Sequence, residues 1–385
     1  MLNFTYKNPV KILFGKGQIA ELPNELPRTG KILMTYGGGS IFKNGIYNQV
    51  LEATKGLDII EFGGIEPNPK YETLMQAVEI CQHEKVDFLL AVGGGSVLDG
   101  TKFIAAAHCY EGEHKWDILR SGGNAVKQAL PIGCVMTLPA TGSEMNGNAV
   151  ISRLQNKEKL GFQSLLVYPQ FSILDPECIA TLPDNQIANG VVDSFVHTIE
   201  QYLTYNVNSP LQDRYAEGIL KTLIEEGSKV LVDKTNYEAA ANYMWCATNA
   251  LNHWIAVGVA QDWSTHQIGH ELTALHGIDH AKTLAIVLPG VMHYKREDKE
   301  SKILQYGERV FGITLGSKDE RINTIINATI NFFHKMGISC CLSDYNVGEE
   351  SICEIERRFK ERNKHDGEHK DIDWKAVGII LRSRL

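Results

Sequence analysis

The sequence predicts an α/β domain built on a parallel sheet in the first half of the chain and an all-α domain in the second half. Up to about residue 182, short β-rich runs alternate with helix-like runs. The strand runs are almost continuously apolar, as expected for parallel strands that are covered on both faces. Beyond that point only helical periodicity continues. We place the boundary at "LPDN" (182–185), where Pro183 precedes a helix start, which gives domains of residues 1–182 and 183–385.

The first half contains five segments that we predict to be strands, most of them followed by a turn of small residues. They are "KILMTY" (31–36), "LDIIEF" (57–62), "VDFLLAV" (86–92), "PIGCVMTLP" (131–139) and "FSILD" (171–175). In parallel sheets of this kind, ligands bind at the carboxyl ends of the strands. The Gly-rich turns at these ends are therefore the first candidates for a binding site.

The second half contains segments with apolar residues at helical spacing. They are "DNQIANGVVDSFVHTIEQYL" (184–203), "RYAEGILKTLIEEGSKVLV" (214–232), "YEAAANYMWCATNALNHWIAVGV" (237–259) and "RINTIINATINFFHKMG" (321–337). The charged stretch "RRFKERNKHDGEHKDIDWK" (357–375) is predicted to be a solvated surface.

Composition and charge exclude several classes of partner. The formal net charge of the 385 residues is −8, which disfavours nucleic acid and anionic membranes. No apolar run approaches the roughly 18 residues of a membrane span. The N-terminus has no apolar segment typical of a secretory signal, so we expect a cytoplasmic location. The 8 cysteines form no C-x-x-C pair, which excludes zinc-finger sites and predicts reduced thiols.

The segment "AVGGGSVLDGTKF" (91–103) places three glycines and a serine between a strand and a helix. Gly93, Gly94, Gly95 and Ser96 could cradle a pyrophosphate, because glycines let the backbone approach and the helix start offers N–H groups. Asp99, in the first turn of the helix, could cap these N–H groups or bind the nicotinamide end of a cofactor. The alternative is a tight strand–helix turn without a ligand, since the pattern matches neither G-x-G-x-x-G nor a Walker motif.

Two further turns follow predicted strands and therefore lie at the same end of the predicted sheet. "TYGGGS" (35–40) carries Gly37, Gly38, Gly39 and Ser40 where nucleotide-binding sheets usually carry an acidic residue for the ribose 2′-hydroxyl. The missing carboxylate leaves room for a 2′-phosphate and favours NADP over NAD. In "TLPATGSE" (137–144), Thr137, Thr141 and Ser143 could line the cofactor. Ordinary turn chemistry is the alternative for both segments.

The metal-binding potential of the chain lies in histidines and carboxylates of the second half. Asp193 and His197 are four residues apart on a predicted helix and therefore share a face. Such a pair can supply two metal ligands, although a buried Asp–His hydrogen bond is an equally simple interpretation.

The stretch "DWSTHQIGHELTALHGIDH" (262–280) adds two more i, i+4 pairs, namely His266 with His270 and His276 with His280. In one unbroken helix the outer two would lie about 21 Å apart. Gly277 predicts a break that could fold one histidine of each pair towards Asp193 and His197. The spacing leaves open which two histidines bind metal. An N₃O set of this kind suits Zn²⁺ or Fe²⁺.

The chain resembles the iron-containing alcohol dehydrogenase family over nearly its whole length, and most closely its butanol dehydrogenase branch, which includes NADPH-dependent aldehyde reductases. The motifs that carry the resemblance, in the family's order, are "KILFGKG" (11–17), "IEPNP" (65–69), "GGGSVLDGTK" (93–102), "TLPATGSE" (137–144), "VVDSFVHTIEQYL" (191–203) and "DWSTHQIGHELTALHGIDH" (262–280). The resemblance implies a Rossmann-like N-terminal domain, an α-helical C-terminal domain and an active site in the cleft between them.

The resemblance also implies the reaction and the site residues. The reaction is reversible hydride transfer between NADP(H), with NAD possible, and short- to medium-chain aldehydes or primary alcohols, usually by a homodimer. The implied ligands of one Fe²⁺ or Zn²⁺ are Asp193, His197, His266 and His280. The implied cofactor contacts are Gly94, Gly95, Ser96, Asp99, Thr137, Thr141, Lys159 and Leu182, and we predict Asn68 in "IEPNP" as a further contact. The turn at 38–40 resembles that of NADP-preferring members.

The resemblance places His270 near the metal and the nicotinamide, and we hypothesise that it passes a proton to the alkoxide formed after hydride transfer. A His270→Ala variant with normal turnover and pH dependence would exclude this role. We further expect Phe195, Trp254 and Trp263 to form an apolar pocket wall, which fits aldehydes better than sugars.

Three alternatives remain open from the sequence. A glycerol dehydrogenase-like or dehydroquinate synthase-like enzyme would use the same architecture, but the latter needs basic residues for an anionic substrate. A metal-dependent hydrolase would carry the Gly-rich turn incidentally. A non-enzymatic metal or nucleotide sensor fits least well, since both halves of a redox site are predicted.

Overall fold

The computed structural model describes residues 1–385. The strands are β1 (Lys11–Phe14), β2 (Lys31–Tyr36), β3 (Asp58–Phe62), β4 (Val86–Gly94), β5 (Ile132–Leu138), β6 (Asn148–Arg153), β7 (Glu158–Gln163) and β8 (Phe171–Leu174). The helices are α1 (Leu22–Glu25), α2 (Ser40–Lys43), α3 (Ile46–Ala53), α4 (Tyr71–Glu84), α5 (Gly95–Cys109), α6 (Asp117–Arg120), α7 (Asp184–Tyr202), α8 (Pro210–Val232), α9 (Tyr237–Ala250), α10 (Ser264–His276), α11 (His280–Tyr294), α12 (Glu300–Phe311), α13 (Lys318–Lys335), α14 (Glu349–Glu361) and α15 (Trp374–Arg382).

The chain forms two compact units. The sheet unit contains residues 7–183 and 234–248, and the helical unit contains residues 1–6, 184–233 and 249–385. A single cut near residue 182 describes the bulk of both units. It does not describe residues 1–6, which belong to the helical unit, or residues 234–248, which belong to the sheet unit. The division into domains 1–182 and 183–385 therefore stays a prediction about how the chain folds.

The sheet unit is built on six parallel strands in the order β1-β8-β5-β4-β2-β3. β4 and β5 are buried along almost their whole length, which explains their nearly continuous apolar sequence. The five predicted strands match the observed ones within two residues at either end. β1 and the antiparallel β6–β7 hairpin were not predicted as strands, because β1 is only 4 residues long and the hairpin is largely polar.

The helical unit is organised around α7, which begins at Asp184, directly after Pro183. Every side chain from Gly190 to Tyr202 is buried, so α7 has no solvated face in this part. It packs against α8 and α11, and α10 packs against α11. Polar residues on such a helix need partners inside the protein. None of the helices combines the length and the apolarity needed to span a membrane.

The charged stretch 357–375 is not uniformly solvated, so that prediction was wrong for its central part. The side chain of Glu368 is 3% exposed and lies 2.7 Å from the ammonium of Lys299, which also contacts Asp262 at 2.6 Å. Lys299 in addition donates a 2.6 Å hydrogen bond to the carbonyl of Leu203. Charge density alone could not reveal that a lysine 69 residues away compensates the buried carboxylate.

We expect Glu368 to make the stability of the protein depend on pH. Burial, reinforced by the neighbouring Asp262, raises the pKa of Glu368 to about 7. Between the ordinary pKa near 4.5 and this value, the folded protein binds the proton more tightly than the unfolded chain does. Raising the pH through this interval therefore lowers the free energy of unfolding. Glu368→Gln removes this proton equilibrium, and its stability relative to the wild type should rise over the same interval.

Urea unfolding curves of both proteins, measured from pH 4 to pH 8, test this expectation. The changed contact with Lys299 is expected to shift the free energy of unfolding of the variant by the same amount at every pH. This constant shift does not bear on the pKa of Glu368. Two parallel pH profiles would contradict the raised pKa of Glu368.

Candidate functional site

The helix α7 carries two of the predicted metal ligands on one buried face. Asp193 and His197 are each 4% exposed, and the Nε2 atom of His197 lies 3.6 Å from Oδ1 of Asp193. This separation follows from the i, i+4 spacing on a regular helix. The structure therefore places both side chains together, as the sequence predicts.

The break predicted at Gly277 is present and brings two distant histidines together. α10 ends at His276, Gly277 adopts a left-handed conformation with φ of 69°, and α11 begins at His280. A glycine is favoured here because a side chain is strained at this φ. As a result, the rings of His266 and His280 have centroids only 5.2 Å apart.

These elements direct three imidazole nitrogens at one carboxylate oxygen. Oδ1 of Asp193 lies 3.6 Å from Nε2 of His197 and 3.9 Å from Nε2 of both His266 and His280. The ligand atoms of Asp193, His266 and His280 all lie within 4.8 Å of one another. With metal–ligand bonds of about 2.1 Å, a tetrahedral site has ligand atoms roughly 3.4 Å apart. The ligand atoms of Asp193, His266 and His280 lie somewhat farther apart than this, and His197, 3.6 Å from Asp193, is a fourth donor beside them. The chemistry of these donors fits one Fe²⁺ or Zn²⁺ ion.

The remaining two histidines of the stretch differ in their relation to this cluster. His270 is half-buried, with its ring 5.0 Å from that of His280 and 6.3 Å from that of His266. It thus lies beside two of the four candidate ligands, where its predicted role in proton transfer requires it. His276 is exposed at the end of α10 and is not part of the cluster.

Two carboxylates behind the cluster were missed in the sequence. Glu200, 2% exposed, contacts Nδ1 of His266 through Oε2 and accepts a 2.6 Å hydrogen bond from the N–H of Thr265 through Oε1. Asp262 accepts a 2.8 Å hydrogen bond from the N–H of Ser264. Both carboxylates therefore cap the N-terminus of α10, where negative charge is favourable. The sequence could have indicated Glu200, because it lies seven residues after Asp193 and therefore on the same side of α7.

The ionisation of Glu200 depends on its surroundings. Burial raises the pKa of Glu200 well above its ordinary value, and the nearby charge of Asp262 raises it further. The backbone N–H groups of Thr265 and His266 and the ammonium of Lys299 act in the opposite direction. A buried carboxylate in this position is stabilised by positive charge and by N–H donors close to it.

One of the three aromatic residues expected at the pocket wall lies next to the cluster. The ring of Trp263 is 5.2 Å from that of His266 and 6.2 Å from that of His197. Trp263 has a left-handed backbone with φ of 64°, and its indole N–H donates a 2.8 Å hydrogen bond to Gln261. A bulky residue with positive φ is uncommon, and such residues cluster at functional sites.

The other two aromatic residues have different surroundings. Phe195 is fully buried between Phe332, Phe333 and Tyr306, so its predicted role in the pocket wall was wrong. The helical periodicity that placed it on α7 is the same for a core position and for a pocket position. Trp254 is 37% exposed and packs on Tyr6 and Tyr215.

The predicted cofactor turns lie together in the sheet unit. β4 pairs with β2 on one side and with β5 on the other, so the turns at 37–40 and 139–143 and the direct junction of β4 with α5 at 93–96 lie at the carboxyl ends of three adjacent parallel strands. A Cβ atom on Gly95 would lie 2.4 Å from Oγ1 of Thr141. The start of α5 and the turn after β5 therefore approach each other so closely that a side chain at residue 95 would have to displace Thr141.

The structure brings the other predicted cofactor contacts into several different environments. Asn68, with φ of 54°, accepts a 2.9 Å hydrogen bond from the ammonium of Lys159 on β7. Thr137 and Leu182 are buried, with 6% and 8% of their surface exposed, and the carbonyl of Leu182 accepts a hydrogen bond from Lys234. These positions stay predictions for cofactor binding.

Asp99 and Ser143 belong to a hydrogen-bond network within the protein. Asp99 accepts hydrogen bonds from the hydroxyl of Ser143 at 2.7 Å and from the N–H of Val150 at 2.9 Å. Ser143 in turn accepts a 2.8 Å hydrogen bond from the ammonium of Lys102. The hydroxyl of Ser143 is thus engaged as both donor and acceptor. Any contact of these residues with a cofactor would be additional to this network.

Comparison with known proteins gives a consistent assignment. The family profile described as "Iron-containing alcohol dehydrogenase" matches residues 9–176, and the profile described as "Fe-containing alcohol dehydrogenase family, C-terminal" matches residues 187–385. The chain belongs to the iron-containing alcohol dehydrogenase family. Its fold, with a parallel-sheet unit and a helical unit, is the one predicted from the sequence. As a member of this family it is an oxidoreductase, and the hydrolase and sensor alternatives are excluded.

Several relatives in this family resemble the chain over its whole length. The NADPH-dependent aldehyde reductase YqhD of Escherichia coli is 56% identical over 374 residues, which are 97% of each chain. The probable NADH-dependent butanol dehydrogenase 1 of Bacillus subtilis is 42% identical over 100% of each chain. The solved structure of the NADH-dependent butanol dehydrogenase A of Thermotoga maritima has a TM-score of 0.94 at 38% identity and covers 100% of this chain and 99% of its own.

We predict that the wild-type protein binds about one divalent ion per chain and that His280→Ala weakens this binding by more than about 100-fold. The reason is that the variant loses one of four converging donors, which costs more than the 10–100-fold typical of residues behind the ligands. The dissociation constant for Zn²⁺, measured by competition with a fluorescent chelator, gives the answer.

His276→Ala is the matched control for this experiment, because it removes an exposed imidazole from the same stretch of chain. It should bind Zn²⁺ as the wild type does. Equal losses in both variants, or no loss in either, would contradict the assignment of His280 as a ligand.

Proposed function

We propose that this protein is a metal-dependent aldehyde reductase that uses NADPH to convert short- to medium-chain aldehydes into primary alcohols, and that also catalyses the reverse reaction. The observation that carries the proposal is the convergence of three imidazole Nε2 atoms on Oδ1 of Asp193 at 3.6–3.9 Å. The same chain presents three Gly-rich or small-residue turns on adjacent parallel strands. This reaction needs both a site for one metal ion and a site for a dinucleotide.

The chemistry divides between the bound groups and the side chains. When bound, a divalent cation polarises a carbonyl oxygen as a Lewis acid, and the nicotinamide carries the hydride. Asp193, His197, His266 and His280 would hold the cation. In the reduction, the carbonyl oxygen would also need one proton, which a side chain of this protein would supply. We assign delivery of this proton to His270, whose ring lies 5.0 Å from that of His280.

The preference for NADPH rests on the turn at residues 37–40. This turn offers no carboxylate to a ribose 2′-hydroxyl and therefore favours a 2′-phosphate. The names of the relatives do not decide the matter, since YqhD is named for NADPH and the B. subtilis relative for NADH. The higher identity of the former supports NADPH.

The preference for an apolar aldehyde rests on Trp263. Its half-buried indole flanks the rings of two candidate ligands, His197 and His266, and so offers apolar surface beside the cluster. An anionic substrate would instead require cationic side chains at this place. The homodimeric state and the cytoplasmic location stay predictions.

The proposal predicts metal-dependent reduction of butyraldehyde that is faster with NADPH than with NADH. The protein is stripped with a chelator, reloaded with Zn²⁺ or Fe²⁺, and initial rates are measured with each cofactor. Stripped protein without added metal is the control. Turnover that prefers NADH would keep the reaction but contradict the argument from the 37–40 turn. No turnover with any combination would contradict the proposed reaction.

The cofactor preference is tested separately by Gly38→Asp. A Cβ atom on Gly38 meets no other atom within 4 Å and its φ is not in the left-handed region, so the backbone at this position accepts a side chain. The new carboxylate should repel a 2′-phosphate and accept a hydrogen bond from a 2′-hydroxyl. We expect the ratio of kcat/KM for NADPH to that for NADH to fall by about tenfold or more, equivalent to about 1.4 kcal/mol.

Gly38→Asn is the matched control, since it has the same shape without the charge. It should change the ratio much less than Gly38→Asp. If the two variants behave alike, the 2′-phosphate does not bind next to residue 38.

A further inference from the structure

We propose that Glu200 is a positioning residue that fixes the imidazole of His266 in the orientation and tautomer required for metal binding. Glu200 does not itself belong to the four candidate ligands. The inference rests on the metal-binding half of the proposed function and is independent of the hydride-transfer half.

Glu200 links the two helices that carry most of the candidate ligands. It lies on α7, seven residues after Asp193 and three after His197, so all three side chains share one side of that helix. Its own partners, Thr265 and His266, lie at the start of α10. A change in the position of Glu200 therefore changes the position of His266 relative to Asp193 and His197.

The contacts of Glu200 use both of its side-chain oxygens. Oε1 accepts the N–H of Thr265 at 2.6 Å, and Oε2 contacts Nδ1 of His266. In its ionised form the carboxylate accepts at both oxygens, so it then favours the tautomer of His266 with the proton on Nδ1. That tautomer leaves Nε2, the atom that faces Asp193 at 3.9 Å, with a lone pair for a metal ion.

A second layer holds Glu200 and the start of α10 in place. The N–H of Asp262 donates a 2.9 Å hydrogen bond to the backbone carbonyl of Glu200. The carboxylate of Asp262 accepts the N–H of Ser264 at 2.8 Å and the ammonium of Lys299 at 2.6 Å. Lys299 is 4% exposed, so this arrangement is largely inaccessible to water.

Glu200→Gln separates the positioning role from simple packing, because glutamine has nearly the same size but only one acceptor oxygen. Its NH₂ group must face either the N–H of Thr265 or Nδ1 of His266. The first orientation loses the helix cap, and the second favours a proton on Nε2, which blocks metal binding. We expect the dissociation constant for Zn²⁺, measured by chelator competition on the full-length protein, to rise 10- to 100-fold.

Glu217→Gln is the matched control. Glu217 is also a buried carboxylate of the helical unit, 7% exposed, and it accepts hydrogen bonds from Tyr202 and Arg309 rather than from a candidate ligand. This variant should lose stability while keeping the wild-type affinity for Zn²⁺. Wild-type affinity in Glu200→Gln, or an equal loss of affinity in Glu217→Gln, would overturn the proposal.

A spectroscopic measurement on the wild type keeps the proposal testable if Glu200→Gln fails to fold. In metal-free protein labelled with ¹⁵N-histidine, the ring of His266, assigned by its loss in His266→Gln, should show a protonated Nδ1 in slow exchange with water. A proton on Nε2 would overturn the positioning role. A wild type that binds no Zn²⁺ would instead contradict the metal site itself, and a wild type that binds Zn²⁺ without turnover would contradict only the proposed reaction.

Discussion

The arrangement of the helical unit depends on the burial of carboxylates along one side of α7. Asp193 and Glu200 are 4% and 2% exposed, on a stretch of helix without a solvated face. Burying an ionised carboxylate without compensation costs several kcal/mol. Glu200 is compensated by N–H donors at the start of α10. The three imidazole nitrogens around Asp193 lie 3.6–3.9 Å from its Oδ1, beyond hydrogen-bond distance, so a cation bound between them would compensate this carboxylate. The positions of α10 and α11 next to α7 are thus tied to these two side chains.

The same constraint explains how the metal site and the fold are joined. His266 and His280 lie on separate helices because Gly277 ends α10 with a left-handed residue. An uninterrupted helix would keep the two imidazoles apart. The break therefore brings the two histidines together, whereas the helices on either side of it contribute to the core. Ile268 and Leu272 on α10 and Ile286 and Val287 on α11 belong to one hydrophobic cluster. Packing of that cluster fixes the angle at which the two histidines meet.

The sequence allowed prediction of the features that depend on local pattern. Five strands, the helix after Pro183 and the break at Gly277 follow from apolar runs, a proline and a glycine, all of which act within a few residues. The features that the sequence did not reveal depend on contacts between distant segments of the chain. The partner of Glu200 is 66 residues away and that of Glu368 is 69 residues away. Phe195 shows the same limit, since its spacing on α7 could not tell the core formed by Phe332 and Phe333 from a pocket wall.

The sheet unit contains its own buried charge, and this charge fixes the turns that follow β4 and β5. Lys102 on α5 is fully buried, and burial lowers its pKa to about 8 against the opposing charge of Asp99. Its ammonium donates to Ser143 and Asn146 in the turn after β5 and to the carbonyl of Asn148. Because α5 begins at Gly95, the side chain of Lys102 connects the helix that follows β4 to the residues that follow β5. Removal of the Lys102 ammonium would leave its buried acceptors without this donor. The close approach of Gly95 and Thr141 is therefore maintained by these hydrogen bonds as well as by the absence of a Cβ atom at residue 95.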